Sequence, residues 1–118
     1  MLGWFVDNCV SWEYKQMADQ QGMDLHSWLT RKAEKLSPGG HGLLALDWWN
    51  GNKTPYVDGR LSGVLVGCTL LTKPEEIYRA LIESTAFGTK KIMQLFAESG
   101  VKVHTIIASG GMQRKIPF

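Results

Sequence analysis

The apolar positions of residues 1–37 recur with helical spacing and fall into three short runs. Ser11 is a candidate N-cap for the second run, which Gly22 closes. The third run follows Asp24, another good N-cap. Its apolar residues form the stripe of one buried helix face: Leu25, Trp28, Leu29, Ala33 and Leu36. The pattern therefore predicts three helices, which the loop 37–40 ends with its proline and two glycines.

The middle of the chain changes to a pattern typical of strands and turns. Residues 42–46 are predicted to form a short buried strand, and the dipeptide Asn50-Gly51 predicts a turn after it. Residues 62–71 form a second β-type run, which Gly63 and Gly67 interrupt. A glycine inside a strand often marks a bulge or a close backbone approach.

A long helix is predicted from about residue 74. Thr72 and Glu75 have the spacing of a capping box, and Pro74 suits the first turn. Ser84 and Gly88 are small enough to let another element pack closely. The apolar face extends over six turns and consists of Ile77, Ala80, Leu81, Ser84, Gly88, Ile92, Leu95 and Phe96.

Residues 101–108 are expected to form a buried parallel strand, because their second half is continuously apolar. Ser109, Gly110 and Gly111 follow directly. The order of elements predicts an α/β fold: a helical amino-terminal segment, then a strand, a long helix and a strand joined by a right-handed crossover.

Composition limits the class of protein. The chain has 118 residues, enough for one small domain, and a formal charge of +2, too little for a strong nucleic-acid binder. No apolar run is long enough to span a membrane, and the start lacks the basic region of a secretory signal. Two cysteines form no metal-binding pair, so we expect reduced thiols in a cytoplasmic protein. Twelve aromatic residues in so short a chain predict that several are half exposed.

The glycine pair after the last predicted strand is the strongest candidate for ligand binding. The carboxyl end of a parallel strand is where α/β sheets bind ligands, and glycines there allow a close backbone approach. Taken alone, however, two glycines are more often explained by a plain tight turn. The three histidines have no metal-ligand spacing, so no metal site is predicted.

Other reactive side chains have structural interpretations. Glu83 is expected to be an acid on the surface of the long helix, and Cys68 a buried structural thiol. Trp48 or Trp49 could stack on a sugar or a base, but core packing is the default expectation.

Three blocks of the sequence together resemble the ribulokinase branch of the FGGY carbohydrate kinases. They are residues 42–52, which contain D-W-W-N-G-N, residues 61–67 and residues 72–89, which contain E-I-Y-R-A-L-I-E. The terminal Ser109-Gly110-Gly111 resembles the nucleotide loop of actin-like kinases, although Ile116 stands where the family has a nucleotide-contacting asparagine. The resemblance extends over essentially the whole chain.

The resemblance implies a fold and a site. It makes residues 1–118 a single incomplete domain of the actin-like (ribonuclease H-like) ATPase fold, with a helical segment at 1–37 and an α/β portion at 42–118. It places Gly67, Ser109, Gly110 and Gly111 beside ATP or ADP, which the whole enzyme binds with Mg. It also implies that no catalytic residue lies here, since the general-base aspartate of such kinases is upstream.

The implied reaction is ATP-dependent phosphorylation of L-ribulose to L-ribulose 5-phosphate in arabinose catabolism. Sugar and nucleotide are the implied partners of the whole enzyme, and neither nucleic acid nor a membrane is expected as a partner. The isolated chain is expected to be inactive and to hold no cofactor tightly. The alternatives are a non-catalytic nucleotide binder and an interaction module that self-associates through its exposed aromatic surface.

Overall fold

A computed structural model of the chain describes residues 1–107 and 109. Three short helices come first: α1 (Leu2–Cys9), α2 (Trp12–Gln20) and α3 (Leu25–Ala33). Two short strands, β1 (Leu44–Leu46) and β2 (Val64–Val66), precede the long helix α4 (Pro74–Glu98). The predicted α/β class is confirmed, and the three short helices lie within the predicted helical segment 1–37.

The limits of α2 and α3 can be compared with the residues predicted to begin and end them. Asp24 caps α3, because its carboxylate accepts a hydrogen bond from the backbone N–H of Ser27 at 3.1 Å. Gly22 follows α2 with a left-handed φ of +64°, which glycine adopts without steric cost. Ser11 occupies the N-cap position of α2 but makes no capping side-chain hydrogen bond.

Helix α4 begins at the predicted place with a different cap. Its N-cap is Lys73, whose backbone N–H donates to the Glu76 carboxylate at 2.7 Å. The predicted capping box of Thr72 and Glu75 is therefore wrong by one residue. Thr72 instead accepts a hydrogen bond from the backbone N–H of Thr69 at 2.8 Å, and Glu75 is buried against another helix.

The two strands pair in antiparallel orientation, with Ala45 opposite Leu65. These two residues are half-buried, and helix α4 packs against β1. The other four strand residues are exposed on the outer face: Leu44, Leu46, Val64 and Val66. We call these four residues the outer sheet face.

The predicted parallel crossover is absent from the described part of the chain. Residues 101–107 carry no strand, and they are exposed. A continuous apolar run forms a parallel strand only when neighbouring strands and cover on both faces are available. The two-stranded sheet supplies neither to this segment. Ala108, the last residue of the predicted strand, lies outside the described residues.

The core lies between α1, α3 and the first half of α4. It is formed by Phe5, Val6, Leu29, Ala33, Tyr78, Leu81 and Ile82. Several aromatic side chains stay substantially exposed, as predicted, including Trp4 at 50% and Trp12 at 62%. No helix among the described residues is both long and apolar enough to cross a membrane.

Candidate functional site

The predicted nucleotide loop is only partly described. Gly67 follows β2 with a φ of +95°, and a Cβ there would overlap the carbonyl oxygen of Gly42. The chain's own backbone therefore accounts for a glycine at position 67. Ser109 is exposed, while Gly110 and Gly111 lie outside the described residues. Of the four predicted nucleotide contacts, the structure therefore describes Gly67 and Ser109.

A cavity of about 670 Å³ lies between the segment 45–56 and helix α4. Its wall from the segment includes Asp47, Trp48, Asn50 and Tyr56, and its wall from the helix includes Thr85 and Gly88. Two lysines, Lys53 and Lys91, also line it. We call this space the loop–helix cavity.

The loop that forms one wall is held by Asn52. The backbones of Asn52 and Asp58 exchange two hydrogen bonds of 3.0 and 2.9 Å, and the Asn52 side chain accepts one from the Tyr56 N–H at 3.1 Å. Tyr56 is thereby placed against Trp48, with the ring centroids 5.7 Å apart and the planes at 76°. The two rings form an edge-to-face pair, a favourable aromatic geometry.

The helical wall is shaped by small residues. A Cβ at Gly88 would lie 3.1 Å from a carboxylate oxygen of Asp47, so the glycine allows the end of β1 to approach α4. This confirms the prediction that small residues on α4 admit close packing. Thr85 and Thr89 donate their hydroxyl hydrogens to carbonyl oxygens one turn back in the helix.

The two adjacent tryptophans have different environments. Trp49 packs on Trp4 with a centroid distance of 4.9 Å, and a Cβ at Gly63 would lie 2.5 Å from its ring nitrogen. Trp49 is therefore in tight packing contact, although 39% of it is exposed. Trp48 instead lines the loop–helix cavity.

Glu83 holds the loop that precedes β1. Its carboxylate accepts hydrogen bonds from Arg79 Nε at 2.7 Å and from the backbone N–H of Gly39 at 3.2 Å. It also lies 3.3 Å from Nε2 of His41, whose Nδ1 accepts from the Leu43 N–H. The expectation of a plain surface acid is therefore wrong. Only the Arg79 spacing of four residues could have indicated part of this arrangement.

Another acid, the buried Glu75, joins three helices. Tyr14 donates to Glu75 at 2.7 Å, and the Lys32 ammonium lies 3.6 Å from the same carboxylate. Burial acts to raise the pKa of Glu75, but the hydrogen bond from Tyr14, a backbone hydrogen bond and Lys32 outweigh it and lower that pKa. Burial and the contact with Glu75 raise the pKa of the Tyr14 phenol.

The two thiols lie on the surface. Both Cys9 and Cys68 are free and exposed, so the prediction of a buried thiol at Cys68 is wrong. Cys68 follows the short strand β2 directly, after the left-handed Gly67, and the strand ends before it can bury the thiol. No group of three His, Cys, Asp or Glu residues within 1–107 and 109 is arranged to hold a metal ion.

Sequence and structure together define the class. The model of the FGGY family of carbohydrate kinases, C-terminal domain, matches residues 1–116. The chain therefore belongs to the FGGY family of carbohydrate kinases. A solved structure of similar fold is the xylulose kinase from Rhodospirillum rubrum, with a TM-score of 0.69 and 27% identity over 88% of this chain and 20% of that one.

The chain also matches curated relatives that are named ribulokinase. The chain is 50% identical over 115 residues to the ribulokinase of Anoxybacillus flavithermus and 52% identical to that of Halalkalibacterium halodurans. Each match covers 98% of this chain and 20% of the relative. The chain thus spans about a fifth of the length of the curated relatives that it matches.

Proposed function

We propose that this chain serves as part of the C-terminal domain of a cytoplasmic kinase that transfers a phosphoryl group from Mg-ATP to L-ribulose, in arabinose catabolism. The observation that carries the proposal is the identity of 50–52% with ribulokinases over 98% of the chain. That identity is well above the 27% shared with the xylulose kinase from Rhodospirillum rubrum.

In this proposal, the chain contributes residues that contact the nucleotide in an actin-like domain. The residues proposed for nucleotide contact are Gly67, Ser109, Gly110 and Gly111, through their backbone N–H groups. Phosphoryl transfer depends on positioning and on charge neutralisation. In this proposal the chain positions the nucleotide, and the general base that acts on the sugar hydroxyl lies outside the chain.

A segment exchange tests whether this chain can serve as that part of a ribulokinase. The 115 matched residues of the Anoxybacillus flavithermus ribulokinase are replaced by those of this chain, and ADP release is followed with L-ribulose and with xylulose. We expect turnover on L-ribulose within about tenfold of the parent enzyme. The matched control receives the corresponding segment of the Rhodospirillum rubrum xylulose kinase. A folded exchange enzyme without turnover on L-ribulose would contradict the proposal.

The same ADP-release assay can be applied to the isolated chain and to one variant of the exchanged enzyme. The isolated chain is expected to release no ADP, because the proposed general base lies outside it. In the exchanged enzyme, Ile116→Asn should lower the KM for ATP and leave the KM for L-ribulose unchanged. An unchanged KM for ATP would remove residue 116 from the nucleotide contact.

Self-association is a second candidate role, and the outer sheet face favours it. The four apolar residues of this face are 39–65% exposed, and Trp4 and Trp49 form a further half-exposed aromatic pair. Exposed apolar surface of this kind marks interaction sites. Light scattering after size exclusion should show a stable dimer or larger species if this role is real, and a monomer otherwise.

A further inference from the structure

We propose that His41 and Glu83 are positioning residues that hold the segment 39–43 and, through it, fix the place of Gly67. We call residues 39–43 the strap. The hold on Gly67 is argued from contacts within this chain. Its consequence for the nucleotide deepens the proposed function and rests on it, since Gly67 is there assigned to nucleotide contact.

The strap needs contacts from a more rigid element to keep a single conformation. Three of its five residues are glycines, and two of them, Gly39 and Gly42, have left-handed φ values of +66° and +71°. Glycine loses more conformational freedom on folding than any other residue, so the backbone of the strap is costly to order. Helix α4 is the neighbouring element that can supply such contacts, because its first half is packed in the core.

His41 fixes the end of the strap next to β1. Its Nδ1 accepts a hydrogen bond from the Leu43 N–H at 3.1 Å, so in the neutral ring the proton lies on Nε2. That Nε2 lies 3.3 Å from the Glu83 carboxylate, although it makes no hydrogen bond with any described residue. The His41 side chain is fully buried, so it cannot touch a ligand and acts only through the chain around it.

Glu83 fixes the start of the strap from helix α4. Its carboxylate accepts hydrogen bonds from the Gly39 N–H at 3.2 Å and from Arg79 Nε at 2.7 Å. Both of these groups are donors, and so is the Nε2–H of His41. An ionised carboxylate only accepts, so it suits all three neighbours at once. The Glu83 side chain is only 12% exposed, which limits competition from water for these contacts.

The strap is packed against Gly67. A Cβ at Gly67 would overlap the Gly42 carbonyl oxygen and would lie 3.5 Å from Cα of Leu43. Leu44, the residue after the strap, pairs with Val66 in the sheet. The strap therefore approaches Gly67 through space and along the strand pair. Because close-packed structure transmits strain, a change in the strap should displace Gly67.

The first arm of the test is NMR on the 118-residue chain. Glu83→Gln replaces one acceptor oxygen by an NH₂ donor, which faces a group of donors. We expect the Cα carbon and amide signals of Gly67 to shift in this variant. The matched control is Glu98→Gln, the same change at an exposed position near the carboxyl end of α4, and it should leave both signals in place.

The second arm measures ADP release by the exchanged enzyme. Glu83→Gln and His41→Phe should each raise the KM for ATP at least about threefold and leave the KM for L-ribulose within about twofold. His41→Asn should return the KM for ATP to within about twofold of the parent, because a short amide side chain accepts from the N–H two residues on. A role in stability alone would lower the amount of active enzyme and change neither KM.

The outcomes separate the hold on Gly67 from its consequence. Unshifted Gly67 signals in Glu83→Gln would overturn the hold, and shifted signals with an unchanged KM for ATP would overturn the link to the nucleotide. Equal KM values for His41→Phe and His41→Asn would overturn the role of the Leu43 hydrogen bond. If Glu83→Gln does not fold, Glu83→Asp decides by the same readouts, since it keeps the charge and withdraws the carboxylate by one methylene.

The exchanged enzyme without these substitutions distinguishes the two proposals. If it is inactive, the proposed function fails, and the NMR arm still decides whether His41 and Glu83 hold Gly67. If it is active and the variants leave the KM for ATP unchanged, the inference fails and the proposed function stands.

Discussion

The two halves of helix α4 carry the same apolar periodicity, but the first half is buried much more deeply than the second. In the first half, Glu75, Tyr78, Ala80, Leu81, Ile82 and Ser84 are buried against α1, α3 and β1. In the second half Phe87 and Phe96 are 55% and 48% exposed, and residues 101–107 beyond the helix are exposed as well. A periodic apolar stripe therefore predicts a helix face that is suited to packing. It does not show whether another element packs against that face.

The difference has a consequence for stability. Apolar burial stabilises by about 25 cal/mol per Å² removed from water, so only the first half of α4 gains substantially from its stripe. The second half depends mainly on helix propensity and on continuity with the first. The exposed apolar residues of the second half are suited to contact another segment or another protein.

The largest effect is expected from truncating the packed half. Leu81 is fully buried, so Leu81→Ala should lower the free energy of unfolding by about 2–5 kcal/mol. Leu95→Ala makes the same chemical change at a half-buried position of the second half and should cost about 1 kcal/mol or less. Urea unfolding followed by tryptophan fluorescence measures both. Equal losses would show that the second half is covered in solution.

Gly67 and Gly100 allow a similar comparison between a closely packed and an open position, here for the backbone. Gly67→Ala combines a left-handed φ of +95° with an overlap on the Gly42 carbonyl and should cost about 2–3 kcal/mol. Gly100 also has a positive φ, +80°, but open space around it, so Gly100→Ala should cost only about 1 kcal/mol.

The same urea titration ranks the two glycine variants. If Gly67→Ala were as mild as Gly100→Ala, the close approach to Gly42 would be wrong, and a role of Gly67 in ligand contact would gain weight. A large loss of stability, in contrast, would mean that impaired nucleotide binding by this variant is not evidence of direct contact.

Local signals account for what the sequence predicted well. Asp24 caps a helix through a residue three positions away, and Pro74 starts another within its own first turn. Such features need no knowledge of the rest of the chain. The three short helices, the long helix and the approximate place of both strands were predictable for this reason.

Long-range pairings account for what was missed. Tyr14 and Glu75 are 61 positions apart, and Gly39 and Glu83 are 44 apart, so no local pattern joins them. The antiparallel direction of the strands and the uncovered segment 101–107 likewise depend on which partners are present. Within the D-W-W block, adjacency alone could not assign Trp48 to the cavity and Trp49 to a packing contact.

Lowering the pH should destabilise the packed first half of α4, because it protonates Glu75. Because the folded-state pKa of Glu75 lies below its ordinary value of 4.5, its stabilising effect is complete above about pH 4.5 and is lost as the pH falls through the folded-state pKa. Glu75→Gln should therefore lower the free energy of unfolding by about 1 kcal/mol at neutral pH, and this deficit should shrink toward zero in acid.

Urea unfolding at a series of pH values measures that deficit. Tyr14→Phe is the matched variant, since it removes the 2.7 Å hydrogen bond and keeps the carboxylate and Lys32. It should show part of the same deficit. A deficit for Glu75→Gln that is independent of pH would assign the role of this side chain to packing instead of charge.

The smallest effect is expected at Phe96, at the far end of α4. The side chain is 48% exposed, so Phe96→Ser should change the free energy of unfolding by less than about 0.5 kcal/mol in a monomeric chain. If the second half of α4 is instead an interface between copies, the loss should exceed that value and increase with protein concentration, because association stabilises the folded state by mass action. Unfolding curves at two protein concentrations distinguish the two cases, and a large loss that is independent of concentration would show that Phe96 is packed within its own chain.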